Sequence, residues 1–327
     1  MRPGPVAIDL YTGTGLRLED ARRVAVDAER AGFEGLWTLE AHTEPFLPLT
    51  LAAEHTARLR LGTAVAVALV RNPMVVAHLA HELNRYARGR LHLGLGTQVG
   101  AHVVRRFGEP FDHPADRMRE YVAALRAIWA RWNEGVPLDH RGRFYRHTLM
   151  TPAFDPGPSG YGPPRIHLAA VGPRMCEVAA HDADGLIAHP LSSPRILREV
   201  VGPRVSSPAA QHFELSCPVM VVTGADEEST DAARAAVRRQ IAFYASTPAY
   251  RDVLGHYGLG DLADRLRAMS RAGQWDAMAE LIDDDVLAEF SVEAPPEKVA
   301  AEIRGRYDGL LDRAMVYRPY PGPTALC

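Results

Sequence analysis

A single (β/α)8 barrel with insertions, an α/β fold, is what this sequence predicts, and three observations predict it. Short apolar runs alternate with amphipathic stretches of helical period along almost the whole chain. About eight such runs can be counted, the number that closes a parallel barrel. The run from Leu61 to Val70 carries no charge and is flanked by arginines, as suits a strand buried on both faces under a cover of helices. It is too short to span a bilayer.

In chain order, Val6–Leu10 reads as the first strand. Ala21, Val24, Ala25 and Ala28 then recur at helical spacing, with Glu19 and Asp20 in the first turn and Gly32 as the stop. Gly35–Leu39 is the second strand and Leu49–Thr56 the helix ahead of the Leu61–Val70 run. Gly62 inside that run marks a bulge or a close backbone approach, and Asn72-Pro73 opens a helix to Tyr86. Arg90–Gly96 is a strand ending in a glycine turn. Met118, Val122, Leu125, Trp129 and Trp132 form the apolar stripe of a helix starting near Pro114. Ile166–Ala170 resumes the strands, a helix follows from Pro173, and Gly185–Ala188 is a short strand. Phe213–Thr223 is a strand, Asp226–Tyr244 a long helix, Pro296–Tyr307 the last helix and Arg313–Tyr317 the last strand. Two segments fit no simple βα unit. Pro137–Pro164 is aperiodic and rich in aromatics, which predicts a lid insertion over a substrate. Thr247–Phe290 reads as a mostly helical insertion.

The chain has 327 residues, 47% of them hydrophobic and 24% charged, with a formal net charge of -3. That is the profile of an ordinary soluble globule, and the length fits two average domains or one large α/β barrel. The arginines are interleaved with carboxylates, so no nucleic-acid surface is expected. Lys298 is the one lysine among 37 basic residues, a bias typical of GC-rich bacterial genomes. Cys176, Cys217 and Cys327 share no metal or redox spacing, and the N-terminus has no signal-peptide pattern. A cytoplasmic protein without a membrane partner is the expectation.

In a barrel of this kind the C-terminal ends of the strands carry the chemistry. Here they present Glu40-Ala41-His42, Thr63-Ala64-Val65, Gly96-Thr97-Gln98, Ala170-Val171-Gly172 and His189. Gly94-Leu95-Gly96-Thr97 lets a flat ring or a phosphate approach the backbone. Gly172-Pro173 stands at a helix start, where N–H groups and the dipole favour an anion. The glycines do not form the Gly-x-Gly-x-x-Gly dinucleotide fingerprint. No His-Glu-x-x-His pattern or cysteine cluster offers metal ligands, and there is no Gly-x-Ser-x-Gly nucleophile elbow. Arg105-Arg106 and Arg141-Gly142-Arg143 read as solvated turns in preference to ligand clamps, with contact to an anionic cofactor tail as the alternative.

Several stretches carry a family resemblance. They are Ala28–Trp37, Arg58–Val65 with Arg71-Asn72-Pro73, Gly89–Gly96, Pro164–Met175 and Ala183-Asp184-Gly185. In this order and spacing the chain resembles the bacterial luciferase-like superfamily, and most closely its branch of deazaflavin (coenzyme F420)-dependent oxidoreductases. The resemblance implies a cofactor ring lying across the strand ends, backed by a cis peptide at Ala64–Val65. It implies a tail phosphate held by backbone N–H groups of Ala169–Pro173, with Arg174 near. The proposed cofactor-binding residues are therefore Thr63, Ala64, Val65, Gly96, Thr97, Gln98, Ala170, Val171, Gly172 and His189. Many similar deazaflavin enzymes carry an adjacent Asp-His pair after the second strand. This chain has Glu40-Ala41-His42 instead, so His42 and Glu40 are the catalytic candidates.

The activity so implied is hydride transfer between F420 and a small organic substrate. Two alternatives stand beside it. One is an FMN-dependent monooxygenase that takes reduced flavin from a partner reductase. The other is a cofactor-binding protein without turnover. A homodimer is compatible with either enzyme.

Overall fold

The computed structural model describes residues 4–206 and 212–321, so Cys327 lies outside the described residues. Eight parallel strands form the barrel: β1 (Ala7–Thr12), β2 (Gly35–Thr38), β3 (Arg60–Thr63), β4 (Leu91–Gly96), β5 (Arg165–Ala169), β6 (Gly185–Ile187), β7 (Glu214–Val222) and β8 (Arg313–Tyr317). Each pairs with the next in chain order, and β8 returns to β1, with Ala7 opposite Arg313 and Tyr11 opposite Tyr317. The expected (β/α)8 barrel is therefore present and closed.

The outer layer is α1 (Leu18–Arg30), α2 (Phe46–His55), α3 (Pro73–Tyr86), α4 (Pro114–Glu134), α5 (Pro173–Asp182), α6 (residues 194–204, in three continuous pieces), α7 (Glu227–Ala245) and α8 (Val299–Tyr307). Their faces follow from sequence spacing. In α1 the buried residues are Ala21, Ala25 and Ala28, and in α4 Met118, Val122, Leu125, Trp129 and Trp132 all face the sheet. Asn72 caps α3 by accepting the Met74 N–H at 2.9 Å, with Pro73 at the first helical position. Asp226 and Ser229 form a reciprocal capping box at the start of α7. Among the described residues no helix is long and apolar enough to cross a membrane.

Three expectations are corrected. The Leu61–Val70 run is not one strand. β3 stops at Thr63, the Ala64–Val65 peptide is cis, and Ala66–Val67 shifts to pair with Leu95 and Gly96 at the end of β4. The ladder to β2 ends with the Ala64 N–H on the Thr38 carbonyl at 2.7 Å, and beyond it the Val67 N–H goes to the Glu40 side chain at 2.7 Å instead of to that strand. Helix α2 begins at Phe46 rather than Leu49, because Pro48 sits in a first turn where its missing N–H costs no hydrogen bond. Glu44 accepts the Phe46 and Leu47 N–H groups at 2.7 and 2.8 Å there. Arg105 and Arg106 are not in a turn but end a short helix, Gly100–Arg106.

Residues 137–164 leave the base of α4, double back in a hairpin pairing His140–Arg141 with Arg146–His147, and return to β5. The hairpin is tied along α4. Glu120 accepts the N–H groups of Arg143, Phe144 and Tyr145 at 2.9, 2.7 and 2.5 Å. The helices between residues 251 and 290 lie elsewhere. Leu254, Leu266, Met278, Ile282 and Phe290 share an apolar cluster with Tyr11, Ala64, Ile187 and Tyr317, so these helices cover part of the barrel mouth.

Candidate active site

The site is built from the strand ends. Trp37, fully buried, fills the barrel below it and explains Gly62: a Cβ there would come within 2.3 Å of the indole ring. Gly94 is equally constrained, because a Cβ would lie 1.7 Å from the Thr63 carbonyl oxygen. Above them the chain steps across the mouth through the cis peptide. Thr63 is wholly buried and its hydroxyl donates to the Gly94 carbonyl at 2.6 Å, so it supports the step from below.

Glu40 fixes the step from the side. Its Oε2 accepts the Val67 N–H and an Arg71 Nη1–H at 2.6 Å, while its own N–H donates to the Val65 carbonyl at 3.2 Å. Glu40 is thus held by the segment that would back a ring. His42 has the opposite setting. It is exposed on the loop after β2, and no hydrogen-bond partner is found for it among the described residues. Arg106 donates to the Ala41 carbonyl at 2.7 Å beside it.

On the other side of the mouth, Val65 and Gly96 meet. A Cβ on Gly96 would come within 2.6 Å of Val65 Cγ2 and 3.6 Å of Ala169 Cβ. Thr97 and Gln98 follow, both half-buried. Gln98 adopts a left-handed backbone with φ +59°, and its side-chain oxygen accepts the Val99 N–H at 2.9 Å. Ala170 is buried and Val171 half-buried, whereas Gly172 is exposed and caps α5. The N–H groups of Arg174 and Met175 belong to the first turn of α5 and have no intrahelical acceptor. A Cβ on Gly172 would meet nothing within 4 Å, so the approach to this helix start is open. Arg174 pairs with Asp116 at 3.1 Å, and Arg204 donates to the Val171 carbonyl at 3.5 Å, so two guanidinium groups flank it.

A wall of aromatic residues completes the mouth. His189 stacks on Tyr250 with ring centroids 3.8 Å apart and meets Tyr244 edge-on at 4.7 Å. Tyr244 and Tyr317 share a hydroxyl contact at 3.3 Å, Tyr317 packs edge-on to Tyr11 at 5.2 Å, and Tyr11 donates to the Ala64 carbonyl at 3.0 Å. One continuous chain of contacts therefore runs from His189 to the cis peptide. His189 Nδ1 accepts the Leu191 N–H at 3.2 Å, which places the ring proton on Nε2. Burial between the tyrosines pushes its pKa down to about 3, so the ring is neutral. The same desolvation raises the Tyr250 hydroxyl to about 12. The structure brings the sequence candidates Ala64, Val65, Gly96, Gly172 and His189 to one mouth, together with Tyr11, Arg71, Tyr244, Tyr250 and Tyr317, which sequence reasoning did not single out as site residues. Of these, Arg71 alone carried a local signal, since it opens the Arg-Asn-Pro stretch.

With this geometry in place, a family model described as luciferase-like monooxygenase matches residues 4–313. The chain belongs to that family. An uncharacterized Mycobacterium tuberculosis protein is 50% identical over 305 residues, 91% of this chain and 90% of its own length. Another M. tuberculosis protein, provisionally named a coenzyme F420-dependent oxidoreductase, is 31% identical over 286 residues, covering 80% of this chain and 79% of its own. Among solved structures, the coenzyme F420-dependent tetrahydromethanopterin reductase of Methanopyrus kandleri superposes with a TM-score of 0.75 at 19% identity, covering 95% of this chain and 93% of that one. The FMN-bound oxygenating constituent of Pseudomonas putida 3,6-diketocamphane monooxygenase gives 0.65 at 16% identity, covering 95% and 92%. At these identities the two structures establish the shared barrel. The family places the chain among luciferase-like oxidoreductases and monooxygenases.

Proposed function

We propose that this chain is an F420-dependent oxidoreductase that exchanges a hydride between the deazaflavin and a small organic substrate. The observation that carries the reading is the line of contacts along the strand ends, from the His189–Tyr244–Tyr250 wall through Tyr317 and Tyr11 to the Ala64–Val65 step, Gly96 and the arginine-flanked start of α5. Its backbone step and aromatic wall fit a flat ring, and its open helix start fits an anionic tail. The relative provisionally named F420-dependent, 31% identical over most of both chains, supports the same cofactor.

A bound deazaflavin supplies two-electron hydride chemistry and leaves the protein to orient the substrate and handle a proton. Val65 and Gly96 would back the ring, and Ala170, Val171 and Gly172 would hold the tail. The helices of residues 251–290 would close the substrate side. His42, free of other partners, would give or take the proton at the substrate oxygen. His189, neutral with its proton on Nε2, would donate a hydrogen bond to the ring or substrate.

The FMN-dependent monooxygenase is the second reading, favoured by the likeness to the FMN-bound enzyme. Parallel fluorescence titrations of the purified chain with F420 and with FMN separate the two. We expect F420 to bind at least about tenfold more tightly, a difference of about 1.4 kcal/mol. Micromolar FMN binding with no detectable F420 binding would sink the oxidoreductase reading.

A further inference from the structure

Toward the N-terminal ends of its strands the barrel holds an arrangement that the strand-end site does not use. Three strands send one side chain each into the barrel interior: His92 from β4, His167 from β5 and Glu214 from β7. His92 Nδ1 and His167 Nε2 are 3.0 Å apart, and Glu214 Oε2 lies 3.6 Å from the first and 3.7 Å from the second. A point equidistant from those three atoms is about 2.0 Å from each, the length of a zinc–nitrogen or zinc–carboxylate bond.

We propose that His92, His167 and Glu214 bind a divalent transition-metal ion, of which Zn2+ best suits two imidazoles and one carboxylate. Their surroundings prepare them for it. Glu214 Oε1 is held by Arg60 at 3.2 Å and Arg165 at 3.0 Å, which turns Oε2 toward the histidines. Oε2 itself has no hydrogen-bond partner among the described residues, and neither does the fully buried Ser216 hydroxyl two positions along β7. An ion is one partner that would satisfy such buried polar atoms. Arg313 adds positive charge nearby, but it is neutralised by a two-bond pair with Asp9, both bonds at 2.7 Å.

Both imidazoles are buried, His92 at 5% and His167 at 0% exposure. His92 Nδ1 and His167 Nε2 share a hydrogen bond that the ion would replace, and with nothing on His167 Nδ1 that ring can carry its proton there and present Nε2 as a lone pair. Because β4, β5 and β7 do not all neighbour one another, the ion would act as a structural clamp across the barrel.

The test is metal analysis of the full chain grown with added zinc and passed through gel filtration. One tightly held zinc per chain is expected, together with a visible d–d spectrum after exchange with Co2+ and a higher melting temperature when zinc is added back to stripped protein. Glu214→Gln keeps an oxygen for the arginines and removes the ligand charge. Loss of an outer partner of a metal ligand already costs about 10–100-fold in affinity, so this variant should lose at least that much. His167→Asn should abolish the cobalt spectrum. Substoichiometric zinc and no cobalt spectrum in the wild-type chain would overturn the proposal. So would zinc content, or a zinc-dependent melting shift, that is the same in wild type and folded Glu214→Gln.

Discussion

Two residues apart in sequence, Glu40 and His42 meet opposite surroundings. Glu40 is buried and receives both Arg71 and the Val67 N–H, whereas His42 is exposed and unbonded. Removing one partner of a buried pair leaves the other charge uncompensated, at a cost of about 3–5 kcal/mol. Arg71 keeps some solvent contact, with 21% of its side chain accessible, so the lower end of that range applies to Glu40→Ala. Urea denaturation should show it, and deazaflavin binding should weaken in the same variant. A stable, normally binding Glu40→Ala would mean that the step holds itself. His42→Asn should leave stability within about 0.5 kcal/mol, as surface changes do. Its single-turnover hydride transfer, corrected for cofactor occupancy, should fall by about 10²–10⁴-fold, the usual contribution of a positioned acid or base. An unchanged rate would pass the proton to His189. Sequence placed both residues at a strand end but could not divide their roles, because the division depends on Arg71 and Val67 arriving from the next βα unit.

At the scale of elements, the decisive feature is the step after β3, and Gly96 is its counterpart. Adding a methyl at Gly96 drives it into Val65, and overpacking of this kind typically costs about 1–3 kcal/mol. Gly96→Ala should therefore displace Val65 and weaken deazaflavin binding by at least about tenfold. The double variant with Val65→Ala removes the clashing methyl and should recover most of that loss. Failure of the rescue would show that Gly96 matters for ring access and not for Val65. The lid expected at 137–164 is tested at the same scale. Glu120 pins its hairpin to α4, so Glu120→Ala should speed trypsin cleavage after Arg141 and Arg143. If the hairpin also covers the substrate, cofactor and substrate together should slow that cleavage in the wild-type chain, and a rate indifferent to both ligands argues against a lid. The apolar runs and helical stripes made most elements legible. The step was not, because an apolar run looks the same whether its N–H groups meet a neighbouring strand or a glutamate side chain.

For the whole molecule, alternation and count were enough to read a closed barrel, since eight parallel strands with covering helices have few other ways to bury both faces. What closure brings together was hidden. Tyr11, Tyr244, Tyr250 and Tyr317 lie far apart in the chain and become one wall only when β8 returns to β1. That wall has a consequence for stability as a function of pH. His189 titrates near 3 in the folded chain and near its ordinary value of about 6.5 when unfolded. Between those values the unfolded chain binds the extra proton. The stabilisation is therefore fully present above pH about 6.5 and is lost as pH falls toward 3. One such proton contributes a slope of about 1.4 kcal/mol per pH unit in that window. Replacing His189 with Gln keeps a polar side chain without the titration. Urea midpoints measured from pH 7 down to pH 4.5 should fall more steeply for wild type than for His189→Gln, by about one proton's worth of slope. Parallel curves would show that His189 protonates in place, which would require the tyrosine wall to open to water at low pH.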